Sequence, residues 1–421
     1  MKHLTILIVA IFALFLNAIS IANAQTQLEL HWPRFRGEAG AGLTEQSDWS
    51  GQLGDKDHLW KIELPGTGIS SPVIAGAQLY VTSADEDQQE RFLHCVSVKS
   101  GEVLWSKSFS FSKYKKHKNN SFASSSPAVD AERVYLVWQS QEGSSLIAFT
   151  HEGESVWEYD LGPYGHGQGA AASPIVHDGV VYVANDQKEP SFLVAIESQT
   201  GKELWKIPRL GQRACYATPG VWQGPQGQTE IVFSHCEEGV IGVEPKTGKV
   251  LWQISPFGDF SQRAICSPFT TPEGLIVTGS GAQGGERNIV ILKRNSDSVE
   301  QPIQEVYRVT RGAPHVPTPV VKDGLFYLWG DLGIVTCVEM MTGKKVWQHR
   351  VGGNYFSSPI CIGENLINID TDGNVIVLAT GATPVEKSRL ALNDESRSTI
   401  AFAEDRLFVR TQHFLSAFQL K

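Results

Sequence analysis

Five segments of the chain end alike: "SVKSGEVLW" at Trp105, "FTHEGESVW" at Trp157, "ESQTGKELW" at Trp205, "EPKTGKVLW" at Trp252 and "EMMTGKKVW" at Trp347. In each, a glycine stands four residues before the tryptophan, and successive glycines lie 52, 48, 47 and 95 residues apart. The last interval is two periods, so a worn copy is expected inside it. "NIVILKRNSDSVEQPIQEVYRV" fills that gap, with Tyr307 near the tryptophan position. Self-similarity at a fixed period of this length restricts the chain to architectures built from stacked repeats.

A second marker lies upstream in every copy. It is Ser or Thr followed by Pro72, Pro127, Pro174, Pro219, Pro268, Pro319 or Pro359. An eighth copy, "STIAFAEDRLFV", has Ile400 in the proline position. Seven residues after most of these positions comes an apolar run such as "LYV" at 79–81 or "FYL" at 326–328. Each unit reads as four short strands: one after Ser/Thr-Pro, the "LYV" strand, a "LVAI" or "VIGV" strand, then a "TG" turn and the "LW" strand. Val, Ile, Tyr and Trp suit pleated, half-buried strands, and the turn glycine suits a positive φ. Four-stranded repeats of about 50 residues predict a β-propeller.

The two ends of the chain complement each other. The eighth copy stops after its third strand, in "FLSAFQLK", whereas "HLWKIEL" at 58–64 is a fourth strand with no first three. The expected fold is all-β: an eight-bladed propeller of four-stranded antiparallel blades over residues 58–421. Its N-terminal strand completes the last blade, and this closure removes unpaired sheet edges.

Residues 1–24 read as a secretory signal, with a lysine, an apolar run and Ala22-Asn23-Ala24 as the cleavage site. An uncleaved anchor is the alternative. No later stretch approaches the ~20 apolar residues that span a bilayer, so a soluble periplasmic or secreted protein without a transmembrane segment is expected. Residues 25–57 lie outside the repeat, and Trp32, Phe35 and Trp49 indicate that they pack on the propeller. The net charge of −9 argues against a nucleic-acid partner. Nothing calls for an oligomer, so a monomer is expected.

The phrases "AIESQTGKELW" at 195–205 and "GVEPKTGKVLW" at 242–252 resemble the pyrroloquinoline-quinone-type propeller repeat, whose signature is an apolar "ALD" strand, "TGK" and "LW". The resemblance covers most of residues 58–421. It implies that Trp60, Trp105, Trp157, Trp205, Trp252 and Trp347 dock between neighbouring blades. It also implies one of two functions. One branch of the family is quinone-dependent dehydrogenases; the other resembles BamB, a non-enzymatic scaffold of the envelope. The dehydrogenase branch marks its cofactor cage with adjacent cysteines, a stacking tryptophan and Ca²⁺-binding carboxylates. This chain has no Cys-Cys pair and short repeat spacings. The favoured expectation is therefore a non-catalytic, BamB-like binding or scaffold module with no cofactor. A quinone- and Ca²⁺-dependent oxidoreductase and a binder of anionic polysaccharide are the alternatives.

The loops that precede Ser/Thr-Pro should converge on one mouth of the central channel. They carry His166, Arg213, Arg263, Arg311, His315 and Arg397. This pattern predicts a cationic funnel for an anionic ligand or an acidic partner segment, since forked Arg side chains suit carboxylate or phosphate. The alternative is that each Arg pairs with a backbone carbonyl or a neighbouring acid and only shapes the funnel. Arg34 and Arg36 are further candidates for an anion site. His166 lies in the Gly-rich "GPYGHGQGAAASP", which lacks the Lys-Ser/Thr of a phosphate loop.

No histidine shows metal-ligand spacing, so no metal is expected. No G-x-S-x-G elbow is present, and no catalytic residue is assigned. Of the six cysteines, Cys95 and Cys337 occupy the small-residue position of a third strand. Cys215 precedes the first strand of the fourth unit and Cys236 follows its second. Antiparallel pairing brings those two ends together, which makes them a candidate disulfide, with Cys266 as an alternative partner.

Overall fold

A computed structural model of the chain describes residues 28–45, 48–165, 167–188, 190–258, 263–282 and 285–421. The expected secretory signal, residues 1–24, and His166 lie outside the described residues.

The strands form eight sheets, each built on four antiparallel strands in sequence order from the axis outward. In the first blade these are Val73–Ala75, Gln78–Asp85, Glu90–Ser97 and Val103–Ser110. The last blade takes Ala401–Ala403, Arg406–Arg410 and Phe414–Gln419 from the C-terminus and His58–Glu63 from the N-terminus. Trp60 pairs with Ala417 and Ile62 with Leu415, so the two ends of the chain share one sheet and the ring closes. The worn copy is a full blade, with Ile303–Val309 as its fourth strand.

Burial explains the strand composition. Second and third strands are almost wholly buried, as in Val180–Asn185 and Ser191–Glu197, because both faces pack against neighbouring blades. Fourth strands alternate, as in Glu203–Arg209, because their outer face meets water. The small-residue position of the third strand lies opposite the tryptophan: Cys95 pairs with Trp105, Ala195 with Trp205 and Cys337 with Trp347. A β-carbon at Gly242 would come within 2.2 Å of the Trp252 indole.

Five of the six indoles also donate to the next blade. Nε1 of Trp60, Trp105, Trp157, Trp205 and Trp347 donates to the carbonyls of Val98, His151, Ser198, Pro245 and Gly381 at 2.8–3.1 Å. Tyr307, in the worn copy, donates its hydroxyl to Met340 O in the same way, at 2.6 Å. Trp252 departs from the pattern and donates to Glu230 of its own blade. The turn glycines sit directly on the preceding blade's ring. Gly248 has φ 71, and a β-carbon there would lie 2.7 Å from Trp205.

The Ser/Thr-Pro marker acquires its reason near the axis. Backbone N–H of Ser71 donates to Ser126 Oγ, and that of Ser126 to Ser173 Oγ. Thr218, Ser267, Thr318 and Ser358 continue the series onto Ser267, Thr318, Ser358 and Thr399. Thr399 N–H then returns to Ser71 Oγ at 3.0 Å. The hydroxyls thus form a buried belt that links successive innermost strands around the channel, with a break between Ser173 and Thr218. The proline that follows removes an N–H that would otherwise need a partner.

Candidate functional site

Chain direction divides the propeller into two faces. The turns after the first and third strands lie on one face. The turns after the second strand and the blade-to-blade loops lie on the other, which is the mouth.

The N-terminal segment closes the channel from the face opposite the mouth. Trp32 bridges to Ile74, Pro33 O accepts from Val129 N, and Leu43–Thr44 adds a parallel strand to Ile360–Ile362. Between these anchors Arg34 donates to Pro219 O at 2.7 Å. Arg36 donates to Pro319 O and Ala41 O, each at 2.8 Å, and to Pro359 O at 3.4 Å. Arg36 also lies over the Phe269 ring. Both side chains are buried, and this burial pulls their pKa values down, to about 10 for Arg34 and about 9 for Arg36. They remain cations at neutral pH, held by carbonyl dipoles beneath the hydroxyl belt.

At the mouth the sequence-predicted residues have different surroundings. Arg213, about one-third exposed, has Nε 3.4 Å from Glu237. Arg263 donates to Ala214 O at 2.8 Å. Arg397 pairs with Glu395 at 3.0 Å. His315 is half-buried: its backbone N–H donates to Asp331 at 2.8 Å, and burial lowers its imidazole pKa. Arg311 is exposed and has no polar partner among the described residues. It lines a groove of about 610 Å³ between the fifth and sixth blades, with Arg287, Asp331 and Gln348. Arg287 in that groove is paired to Asp331 at 3.0 Å.

The mouth therefore carries charges of both signs. Its acids, among them Glu237, Glu286, Asp331, Asp394 and Glu395, come partly from the turns after second strands, which share this face with the blade-to-blade loops. A reading of the Ser/Thr-Pro loops alone misses Glu237 and Asp331. Their signal was the strand order itself, which puts both sets of turns at one end.

Beneath the Arg213 loop lie Cys215 and Cys236, both buried, with sulfurs 3.4 Å apart. With His235 they form the one cluster of three or more His, Cys, Asp or Glu groups among the described residues that could hold a metal ion.

Comparisons with known proteins bear on this arrangement. The sequence matches the family model described as "Outer membrane protein assembly factor BamB" over residues 89–267 and 237–413. No curated protein matches the sequence. Among solved structures, BamB from Moraxella catarrhalis aligns at 13% identity with a TM-score of 0.60, covering 86% of this chain and 97% of that one. The quinohemoprotein alcohol dehydrogenase from Comamonas testosteroni aligns at 13% identity and TM-score 0.63, covering 96% and 82%. Sqt1 from Saccharomyces cerevisiae, at 10% identity and TM-score 0.63, covers 86% and 99%. At these identities the likeness is one of fold.

Proposed function

The chain belongs to the family described as outer membrane protein assembly factor BamB, and on that premise we propose that it is an exported, non-catalytic scaffold of envelope-protein assembly. Its mouth face takes an acidic segment of a partner protein. The observation that carries the reading is Arg311. An exposed guanidinium without an acid of its own, in a groove beside the Arg287–Asp331 pair, offers two forked donors to an incoming carboxylate. Arg213, held only at 3.4 Å by Glu237, is the second contact.

Such an interface gains specificity and on-rate from charge more than raw affinity. Binding should weaken as salt rises. The test is a pull-down from envelope extract with the protein lacking its signal, repeated with Arg213→Glu and Arg311→Glu. Loss of a defined envelope protein in both variants, with retained folding, supports the reading. Equal capture by wild type and variants refutes it. Release by an anionic glycan and not by an acidic peptide would favour the polysaccharide alternative.

The residues do not fit the quinone-dependent alternative. A Ca²⁺-bound quinone needs several oxygen donors, carboxylates among them, around one point. Among the described residues the mouth acids are dispersed, and three are engaged: Glu237 by Arg213, Asp331 by Arg287 and Asp394 by His413, while Glu286 lines the Arg311 groove. The candidate metal cluster consists of thiols and an imidazole.

A further inference from the structure

We propose that Cys215 and Cys236 form a disulfide that fixes the fourth blade's share of the mouth, the loop carrying Arg213. Three observations lead there. The two sulfurs are buried and 3.4 Å apart, so roughly 1.3 Å of approach reaches the bonded distance of about 2.05 Å. The other cysteines are not so placed: Cys266 Sγ faces the carbonyl of Ser267, and Cys361 Sγ that of Gly363. The third observation concerns His235. Its Nε2 lies 3.1 Å from Arg213 O, while Nδ1 accepts from the N–H groups of Glu237 and Glu238 at 3.1 and 3.2 Å. Both ring nitrogens thus meet backbone groups, which compete with a metal for the imidazole, and the ring also hydrogen-bonds with Cys215. The rest of the cluster is a dithiol.

The local chemistry favours one order of events. The Cys215 thiol donates to Cys236 Sγ, which holds the Cys236 pKa below its ordinary value, while burial pushes Cys215 up. With a low-molecular-weight disulfide as oxidant, the Cys236 thiolate attacks one of its sulfurs and expels one thiolate. Cys215, losing its proton, then attacks Cys236 Sγ and expels the second. Two protein thiols are oxidised, and one external disulfide is reduced to two thiols.

The bond would tie the loop that leads into the innermost strand Gly220–Gln223 to the end of Thr229–His235. Immediately before Cys215 lie the mouth contacts: Arg213 O accepts from His235 and Ala214 O accepts from Arg263. The consequence for the mouth rests on the function proposed above, whereas the bond itself does not.

The test uses the full chain, reduced and unfolded, then refolded with oxidised and reduced glutathione. Cysteines left free are alkylated under denaturing conditions, and intact mass and linked peptides are read. The expected result is four alkylated cysteines of the six, with 215 and 236 in one linked peptide and a higher melting temperature than the reduced protein. Should refolding fail, protein secreted by the producing cell and alkylated at lysis gives the same count. Six alkylated cysteines, or a bridge to Cys266, overturns the proposal. So does uptake of one Zn²⁺ per chain that is lost in His235→Ala as well as in Cys215→Ser, since that would make the cluster a metal site. If the bridge forms and Arg213→Glu leaves partner capture unchanged, the scaffold reading fails and this one stands.

Discussion

Replacing Trp205 with alanine should destabilise the whole ring, and the size of the effect follows from its contacts. The indole is 7% exposed. It packs on Tyr182 and Phe233 with ring centroids 6.0 and 6.4 Å away, and Gly248 of the next blade lies against it. Removing a buried tryptophan of this kind costs about 3–5 kcal/mol, most of it lost burial and the cavity left behind. The hydrogen bond adds little. Pro245 O loses the indole N–H at 2.8 Å but keeps the Tyr182 hydroxyl at 3.3 Å, so no carbonyl is orphaned. Trp205→Phe, which keeps a ring but loses the donor and part of the indole's volume, should cost about 1–2 kcal/mol, most of it lost packing. Chemical denaturation followed by tryptophan-independent circular dichroism measures both. The reasoning fails if the alanine variant loses less than about 1 kcal/mol, or if the phenylalanine variant is as unstable as the alanine variant. Either result would mean that inter-blade contact through this indole does not hold neighbouring sheets together.

Two further substitutions probe other parts of the account. Ser267→Ala removes the acceptor for Thr218 N–H within the hydroxyl belt and leaves that buried donor alone, at a cost of about 1–3 kcal/mol; an unchanged denaturation midpoint would contradict it. His94 is buried between Ser83 and Ser106, and burial, with a contribution from Arg410, lowers its pKa from the usual 6.5 to about 3. The folded state thus holds this imidazole neutral where the unfolded chain would protonate it. Its stabilising effect is whole above about pH 6.5 and is lost progressively as the pH falls toward 3. Denaturation midpoints for wild type and His94→Gln should run parallel above pH 7 and converge in acid; parallel curves throughout would refute it.

Much of the ring was legible in the sequence because its signals repeat locally. The glycine four residues before each tryptophan reports one turn and one contact, and the unmatched strand around Trp60 required a partner at the other end of the chain. The hydroxyl belt was half legible. Ser71, Ser126 and their counterparts stood out as a marker, but each partner lies in the next blade, tens of residues away, where no local pattern points. The axial plug was not legible, because residues 28–45 have no second copy with which to compare them. Arg34 and Arg36 read as anion ligands and instead donate to the carbonyls of Pro219, Pro319 and Pro359. At the mouth, Asp394 and Glu395 were legible with the cations of their loops, and the acids of the turns after second strands were not. Glu237 and Asp331 sit in turns whose side of the ring follows only once strand direction is known.

The central claim is that the mouth face, and not the plugged face, meets the partner. A photo-crosslinking residue placed at position 311 and another at position 405, on the plugged face, would test it in cells that produce the protein. A discrete adduct with an envelope-assembly protein is expected from position 311 and none from 405. Adducts from 405 alone would contradict it.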